Sequence, residues 1–311
     1  MTAVFETVSK TEETVFPVVG LVAGDPSGVG PELLAEVLRT PPEGVRLRVI
    51  GDPSPRIPGR PDREGADQAI ASLETSVSLA LSGEIDAVVT GPVNKRYLHG
   101  AGFAFPGQTE FFAARSGTID FAMLLTGGPL TVALVTAHVP LREVAGLLTT
   151  GEIVRVGRLL ASFLRRRGII RPRIAVAGLN PHAGEQGDLG DEEGRIIEPA
   201  LPLLATSDPG AAFSGPFSPD TVFWRAAQGE FDAVLCMYHD QGLIPLKLLG
   251  FHDGVNVTLG LPFVRTSPDH GTAYELAGTG KASPESFRSA VRLAAELVRR
   301  KDEKIGNSGK S

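Results

Sequence analysis

The chain has one cysteine, Cys236, in 311 residues. That excludes an intrachain disulfide framework and any metal site built on several thiolates. Cys236 lies inside the apolar run AVLCM, where a buried, inert thiol is the simpler reading. Positive charge is not in excess either: 30 Lys and Arg against 36 Asp and Glu leave a net charge of −6. This argues against nucleic acid or an anionic membrane as the main partner, while leaving room for one basic pocket and an anionic small molecule. No apolar run reaches the ~20 residues of a membrane span. The most apolar stretch, FAMLLTGGPLTVALVTAHVPL, is broken by Gly127, Gly128 and Pro129 and reads as two strands and a turn. The first sixteen residues lack the basic start and apolar core of a secretory leader, so a cytoplasmic location is expected. The first dozen residues and the tail EKIGNSGKS are expected to fray. Internal repeats are absent, and only PSPRIPGRPDREG has a low-complexity character, that of a loop.

What is present is ordinary globular material, 42% hydrophobic and 21% charged, long enough for one large α/β unit or two lobes. Short apolar runs alternate with amphipathic ones, the pattern of an α/β protein. VVGLVAG, LRVIGD, IDAVVTGPV, IAVAGLNPH and FDAVLCMYH read as strands. GPELLAEVLRT, GADQAIASLETSVSLALSG, GEIVRVGRLLASFLRRRG, EEGRIIEPALPLLA and FRSAVRLAAELVRR read as helices. The basic end of GEIVRVGRLLASFLRRRG suits the negative end of its helix dipole.

Three of the six histidines share one context: TVALVTAH ends at His138, IAVAGLNPH at His182 and DAVLCMYH at His239. Open α/β sheets bind ligands beyond the carboxyl ends of their strands. Three imidazoles delivered there match a catalytic divalent-metal site, with zinc the leading candidate. The alternative is three separate histidines, each satisfied by a backbone carbonyl. The turn GDPSGVGPE, with Gly24, Gly28 and Gly30, departs from the dinucleotide fingerprint in its spacing. A structural turn, with Pro31 opening a helix, accounts for it as well as a cofactor loop would.

GDPSGVGPE, VTGPVNK, PGQTEFF, TAHVPLREV, GLNPHAGEQGDLGDEE, MYHDQGLIPLK and VNVTLGLPFVRTSPDHGTAYELAG together resemble the 4-hydroxythreonine-4-phosphate dehydrogenase family of vitamin B6 biosynthesis. The resemblance runs from about Val18 to about Leu297. HGTAYELAGTGKASP also resembles the nicotinamide loop of isocitrate and isopropylmalate dehydrogenases. The resemblance implies their two-lobed α/β fold, with the active site in the interlobe cleft at a homodimer interface. Residues 1–107 and 262–311 would form the lobe with the cofactor loop, and residues 108–261 the lobe with the metal ligands and the dimer interface.

It further implies NAD or NADP as cofactor and one divalent metal per site: zinc favoured, or magnesium or cobalt. The reaction implied is oxidation of 4-phosphooxy-L-threonine at C3, then decarboxylation to 3-amino-2-oxopropyl phosphate. Family metal ligands fall on His138, His182 and His239. Substrate contacts fall on Gln108, Thr109, Lys247, Asn256 and Arg265, and cofactor contacts on His270, Gly271, Thr272 and Gly278. Asp240, Asp220 and Lys247 are the candidates for proton transfer, Asp240 alternatively as the group that orients a ligating histidine.

Two departures stand out. Gln108 replaces the histidine that precedes the Thr-Glu pair in the family pattern, and glutamine cannot carry positive charge. The region from Gly51 to Ala69 is shorter than in typical members. Related branches oxidise D-threonate or D-erythronate 4-phosphate, or aromatic cis-dihydrodiols, and Thr109, Lys247 and Arg265 favour a phosphorylated substrate. A metal-dependent hydrolase is the reading from another class, but it has no need of a nicotinamide loop.

Overall fold

Ten strands form one sheet in the computed structural model, which describes residues 16–308, with side chains to Arg299. The expected fraying of the first dozen residues lies outside the described part. At the other end the last helix continues to Ser308, and residues 309–311 lie outside it. In chain order the first part holds β1 (Val18–Val22), α1 (Gly30–Arg39), β2 (Arg46–Ile50), α2 (Arg63–Leu81), β3 (Ala87–Thr90), α3 (Lys95–Gly100) and α4 (Gln108–Arg115). The middle holds β4 (Ala122–Gly127), β5 (Leu130–Leu134), α5 (Leu141–Leu147), α6 (Thr150–Arg166), β6 (Arg173–Ala177), α7 (Ala200–Ser207), β7 (Ala212–Phe217), α8 (Pro219–Ala227), β8 (Ala233–Cys236) and α9 (His239–Leu249). β9 (Val255–Leu259), β10 (Val264–Pro268) and α10 (Glu285–Ser308) close the chain.

The strand order is β2-β1-β3-β10-β9-β4-β5-β8-β6-β7. The flank β2-β1-β3-β10 is parallel throughout, and so is the flank β5-β8-β6-β7. Between them β9 and β4 pair antiparallel with each other and with their outer neighbours. Strands covered on both faces read as continuous apolar runs, which is why β1, β3 and β8 showed plainly in the sequence.

One face carries a continuous core under α1, α6 and α10, into which Val19, Leu124, Ile174 and Val257 point. The other face carries two separate cores. Val22, Val88 and Phe263 pack against Leu73 of α2 and Phe112 of α4, while Leu125, Val132 and Val234 pack against Val222 of α8 and Leu246 of α9. Between the two cores the strip over β10 and β9 is open on this face, with β4 at its edge beside α9. The functional cavity sits there.

Two expectations about elements are corrected. EEGRIIEPALPLLA is not one helix: a π-helical turn at Glu193–Ile197 precedes α7. Pro199, the residue before α7, has no N–H to give and disrupts the regular ladder. The other correction concerns the strand ends. β8 stops at Cys236, because the Met237 N–H is taken at 2.7 Å by the side chain of Gln241, so His239 opens α9 instead of ending a strand. Similarly, β6 stops at Ala177, five residues before His182.

Candidate active site

The cavity, of about 600 Å³, takes its floor from β10, β9 and β4 and its walls from the starts of α4 and α9. Arg265 lies in the floor at 2% exposure. Its guanidinium donates to Thr258 Oγ1 at 3.2 Å, to Thr90 Oγ1 at 2.7 Å and to Gln108 Oε1 at 3.0 Å, and sits over the Phe112 ring. All of these partners are neutral. Burial pushes the group down to about 10, partly opposed by Glu110, so it stays charged at neutral pH. Gln108 donates from its amide to the Gly91 carbonyl at 3.1 Å, so both ends of this side chain are engaged inside the protein.

Thr109 and Glu110 follow in the first turn of α4, whose cap residue Gly107 offers no side-chain hydrogen bond. Uncapped N–H groups at a helix start favour an anion. His138 stands 3.9 Å from Glu110 and, with its ring centre 5.6 Å from that of His239, forms the histidine pair of the cavity. That neighbouring imidazole holds the Glu110 carboxyl below the usual range against the effect of burial. Nδ1 of His239 donates to Asp240 at 2.7 Å. Gln241, besides holding Met237, donates to the Gly178 carbonyl at 2.7 Å and ties the start of α9 to the end of β6.

On the far wall Lys247 lies 3.3 Å from the Asp269 carboxylate, and burial raises the Asp269 carboxyl despite that cation. Asn256, His270 and Gly271 also line the cavity. Six buried side-chain polar atoms lack a partner among the described residues. Four of them belong here: Glu110 Oε2, Asn256 Oδ1, Arg265 Nε and His270 Nε2. Unpaired buried polar groups cost about 1–3 kcal/mol each, so such a concentration marks a place where a polar ligand completes the bonding.

Thr272 and Gly278 do not line this cavity. They belong to the loop that packs on the glycine-rich turn. Thr272 accepts from the Val29 N–H at 3.0 Å, Tyr274 donates to Asp25 at 2.5 Å, and Gly278 N–H donates to Glu32 at 3.0 Å. A Cβ on Gly28 would meet the Thr272 carbonyl oxygen at 2.9 Å, so the turn needs glycine for close approach.

His182 and Asp220 lie elsewhere, together in a second, open cavity. Ser218 donates to the Asp220 carboxylate and holds its carboxyl below the usual range. His182 begins five consecutive residues at φ between 45° and 81°. This is a left-handed turn that costs about 1–2 kcal/mol for each non-glycine residue. Nδ1 of His182 donates to Glu185 at 2.7 Å and the side chain is exposed. Among the described residues of one chain, no three His, Cys, Asp or Glu side chains gather closely enough to hold a metal. The structure therefore unites His138 with His239 and leaves His182 apart. His182 and His239 nevertheless each have Nδ1 hydrogen-bonded to a carboxylate at 2.7 Å, which leaves Nε2 for a ligand, a feature of metal-binding imidazoles, while His138 Nδ1 stands 3.9 Å from Glu110.

Sequence reasoning missed Glu110, Asp269 and Glu193. All three stand inside the motifs that carry the resemblance, PGQTEFF, VNVTLGLPFVRTSPDHGTAYELAG and GLNPHAGEQGDLGDEE, but burial is what distinguishes them.

The family described as Pyridoxal phosphate biosynthetic protein PdxA matches residues 33–294. The chain belongs to that family. A 4-hydroxythreonine-4-phosphate dehydrogenase of Desulfosudis oleivorans is 45% identical, over 90% of this chain and 96% of its own. A D-threonate 4-phosphate dehydrogenase of Salmonella typhimurium is 40% identical, over 90% of this chain and 98% of its own. The crystal structure of a 4-hydroxythreonine-4-phosphate dehydrogenase from Klebsiella pneumoniae superposes with a TM-score of 0.76 at 40% identity, covering 91% of this chain and 99% of that one. The family's mixed α/β architecture with its large sheet is thus shared. No described helix is long and apolar enough to cross a membrane.

Proposed function

We propose that this member of the family oxidises 4-phosphooxy-L-threonine at C3 with NAD+ or NADP+ and decarboxylates the product to 3-amino-2-oxopropyl phosphate. The observation that carries this reading is Arg265. A buried guanidinium with only neutral partners, beside the open start of α4 and Lys247, calls for an anionic ligand such as a phosphate or carboxylate. Arg265, Thr109 and Lys247 hold the substrate's anionic groups, and Asn256 accepts from its donor groups. Lys247, paired with Asp269, is placed to deliver the proton that replaces the lost carboxylate.

A divalent ion held in the cavity, zinc in first place and magnesium or cobalt otherwise, would supply Lewis acidity toward the substrate's oxygen. His138 and His239 fit it as ligands, His239 with Nδ1 bonded to Asp240 and His138 with the Glu110 carboxylate nearby. We place the third ligand, His182, on the partner subunit of a homodimer, since within one chain it lies outside the cavity. The exposed apolar side chains Ile244 and Leu248, one turn apart on α9 at the cavity's edge, support such an interface. NAD(P) would lie along His270 and Gly271, with Thr272 and Gly278 shaping their loop. The two lobes would divide as residues 1–107 with 262–311 and residues 108–261. The first holds β2, β1, β3 and β10, and the second the remaining six strands.

The test is absorbance of reduced nicotinamide when the metal-loaded enzyme meets NAD+ or NADP+ with each of three substrates. These are 4-phosphooxy-L-threonine, D-threonate 4-phosphate and D-erythronate 4-phosphate. Preference for the amino substrate, lost in His239→Ala, supports the proposal. Preference for either D-acid phosphate keeps the chemistry and changes the substrate, D-threonate 4-phosphate being the one named for the Salmonella typhimurium relative. Silence with all three overturns the substrate assignment.

A further inference from the structure

Two backbone bonds, Ala183 N–H to the Asn180 carbonyl and Leu189 N–H to the Gly184 carbonyl, both at 3.1 Å, brace the left-handed turn from His182 to Gln186, and the buried side chain of Glu193 packs beneath it. This carboxylate is 3% exposed, and no Lys or Arg among the described residues pairs with it. One oxygen accepts from the N–H groups of Leu179 at 2.7 Å and Asn180 at 2.8 Å, and the other from Asn180 Nδ2 at 2.9 Å. A second carboxylate, Glu192, takes the same Asn180 amide at 2.8 Å. The carboxylate also fills the hollow of the turn. A Cβ on Gly184 would come within 2.7 Å of Glu193 Oε2, and one on Gly178 within 3.1 Å of Oε1. Four non-glycine residues in left-handed backbone persist only when their surroundings over-determine them. Among the determinants here, Glu193 is the buried side chain that fixes the entry to the turn at Leu179 and Asn180, and it touches no candidate ligand or substrate group.

We propose that Glu193 is the positioning residue of the His182 ligand. It pins Leu179 and Asn180, sets the left-handed turn, and so fixes the direction in which His182, with Nδ1 held by Glu185, offers Nε2 outward to the divalent ion of a neighbouring subunit. The strain in the turn is the means of projection, because a right-handed or extended path from the end of β6 would aim His182 differently. This inference rests on the metal reading above.

The experiment is a titration of chelator-stripped, dimeric enzyme with Co2+, followed by the visible ligand-field band of the bound ion, with no substrate present. Wild type, His182→Ala, Glu193→Gln, Glu193→Ala and Gly184→Ala are compared, each checked by circular dichroism and size-exclusion chromatography. His182→Ala abolishes or shifts the band if the metal reading is right. Glu193→Ala weakens Co2+ binding about 10- to 100-fold, the range for groups that orient metal ligands. Glu193→Gln falls between, since its one oxygen still serves Leu179 and Asn180. Gly184→Ala, which presses on the carboxylate from the turn side, weakens binding without removing any ligand, and it carries the test should Glu193→Ala not fold. Wild-type Co2+ binding in folded Glu193 and Gly184 variants, with His182→Ala defective, overturns the proposal and leaves the metal reading intact. Wild-type binding in His182→Ala overturns the metal reading itself.

Discussion

Burying Arg265 with hydroxyl and amide partners alone leaves its positive charge for a ligand to neutralise. Hydrogen bonds to charged groups contribute about 1.5–3 kcal/mol each. Arg265→Gln should therefore lower kcat/KM for the phosphorylated substrate by about 10²-fold or more, since ~1.4 kcal/mol is tenfold. Inorganic phosphate should raise the melting temperature of the wild type and not of this variant, which differential scanning fluorimetry reads directly. Arg265→Lys keeps the charge but not the planar fork and should recover only part of the loss. Asp269 gives the pH-dependent case. Its carboxyl is raised by burial, so the folded state binds that proton more tightly than the unfolded chain does. Its ionisation thus costs stability above the folded value, and the cost disappears as pH falls below the ordinary carboxylate range. Asp269→Asn should melt higher than wild type near pH 7, with the difference shrinking on acidification toward pH ~4. Turnover should fall at the same time, because Lys247 loses its partner. A melting difference that grows on acidification would contradict this sign. Thr109, Lys247, Asn256 and Arg265 were legible from motifs and do line one cavity. Glu110 and Asp269 were not, because a carboxylate in a first helical turn or after a strand reads as solvated until its burial is seen.

At the level of elements, the strands buried on both faces were legible because their apolar runs are uninterrupted. β9 and β10 lie in VNVTLGLPFVRTSP, which the sequence reading used only as a motif, although its β-branched residues are strand material. The ends of β6 and β8 were misplaced because apolar residues such as Met237 and Leu179 continue past the last ladder bond. A side chain, Gln241 or Glu193, then takes over the backbone N–H groups, and no periodicity announces that exchange. The glycine-rich turn, which the sequence left open between a structural turn and a cofactor loop, packs on the 270–278 loop. Gly28→Ala pushes a methyl against Thr272 and should raise the KM for the nicotinamide cofactor several-fold with little change in kcat, as steady-state kinetics at saturating substrate would record. β8 offers a probe of its own. Cys236 is fully buried, and desolvation pushes its thiol far above the ordinary range. A thiol reagent such as DTNB should leave the native protein unlabelled and react with one thiol per chain in guanidinium. Labelling under native conditions would mean that the β5-β8-β6 ladder opens locally.

Under the proposed metal reading, two histidines in one cavity need a third that lies on a strained turn elsewhere in the chain. A closed two-fold dimer would supply it, because an isologous contact that brings one turn to the partner's cavity brings the other turn to the first cavity as well. The exposed apolar side of α9 is placed to take part in it. Leu248→Glu should produce a monomer by sedimentation and, at the same stroke, an inactive enzyme, although Leu248 touches no reacting group. A stricter discrimination uses two inactive variants, His182→Ala and His239→Ala, co-expressed in one cell. If each site draws His138 and His239 from one chain and His182 from its partner, a mixed dimer has one site with both defects and one with none. Random assortment makes half of the dimers mixed, so about a quarter of wild-type activity should return. If instead all three ligands came from one chain, every site in the mixed dimer would carry a defect, and co-expression would restore nothing. The same mixture should bind Co2+ at about a quarter of the wild-type sites with the wild-type spectrum, so assembly of the site can be read apart from turnover.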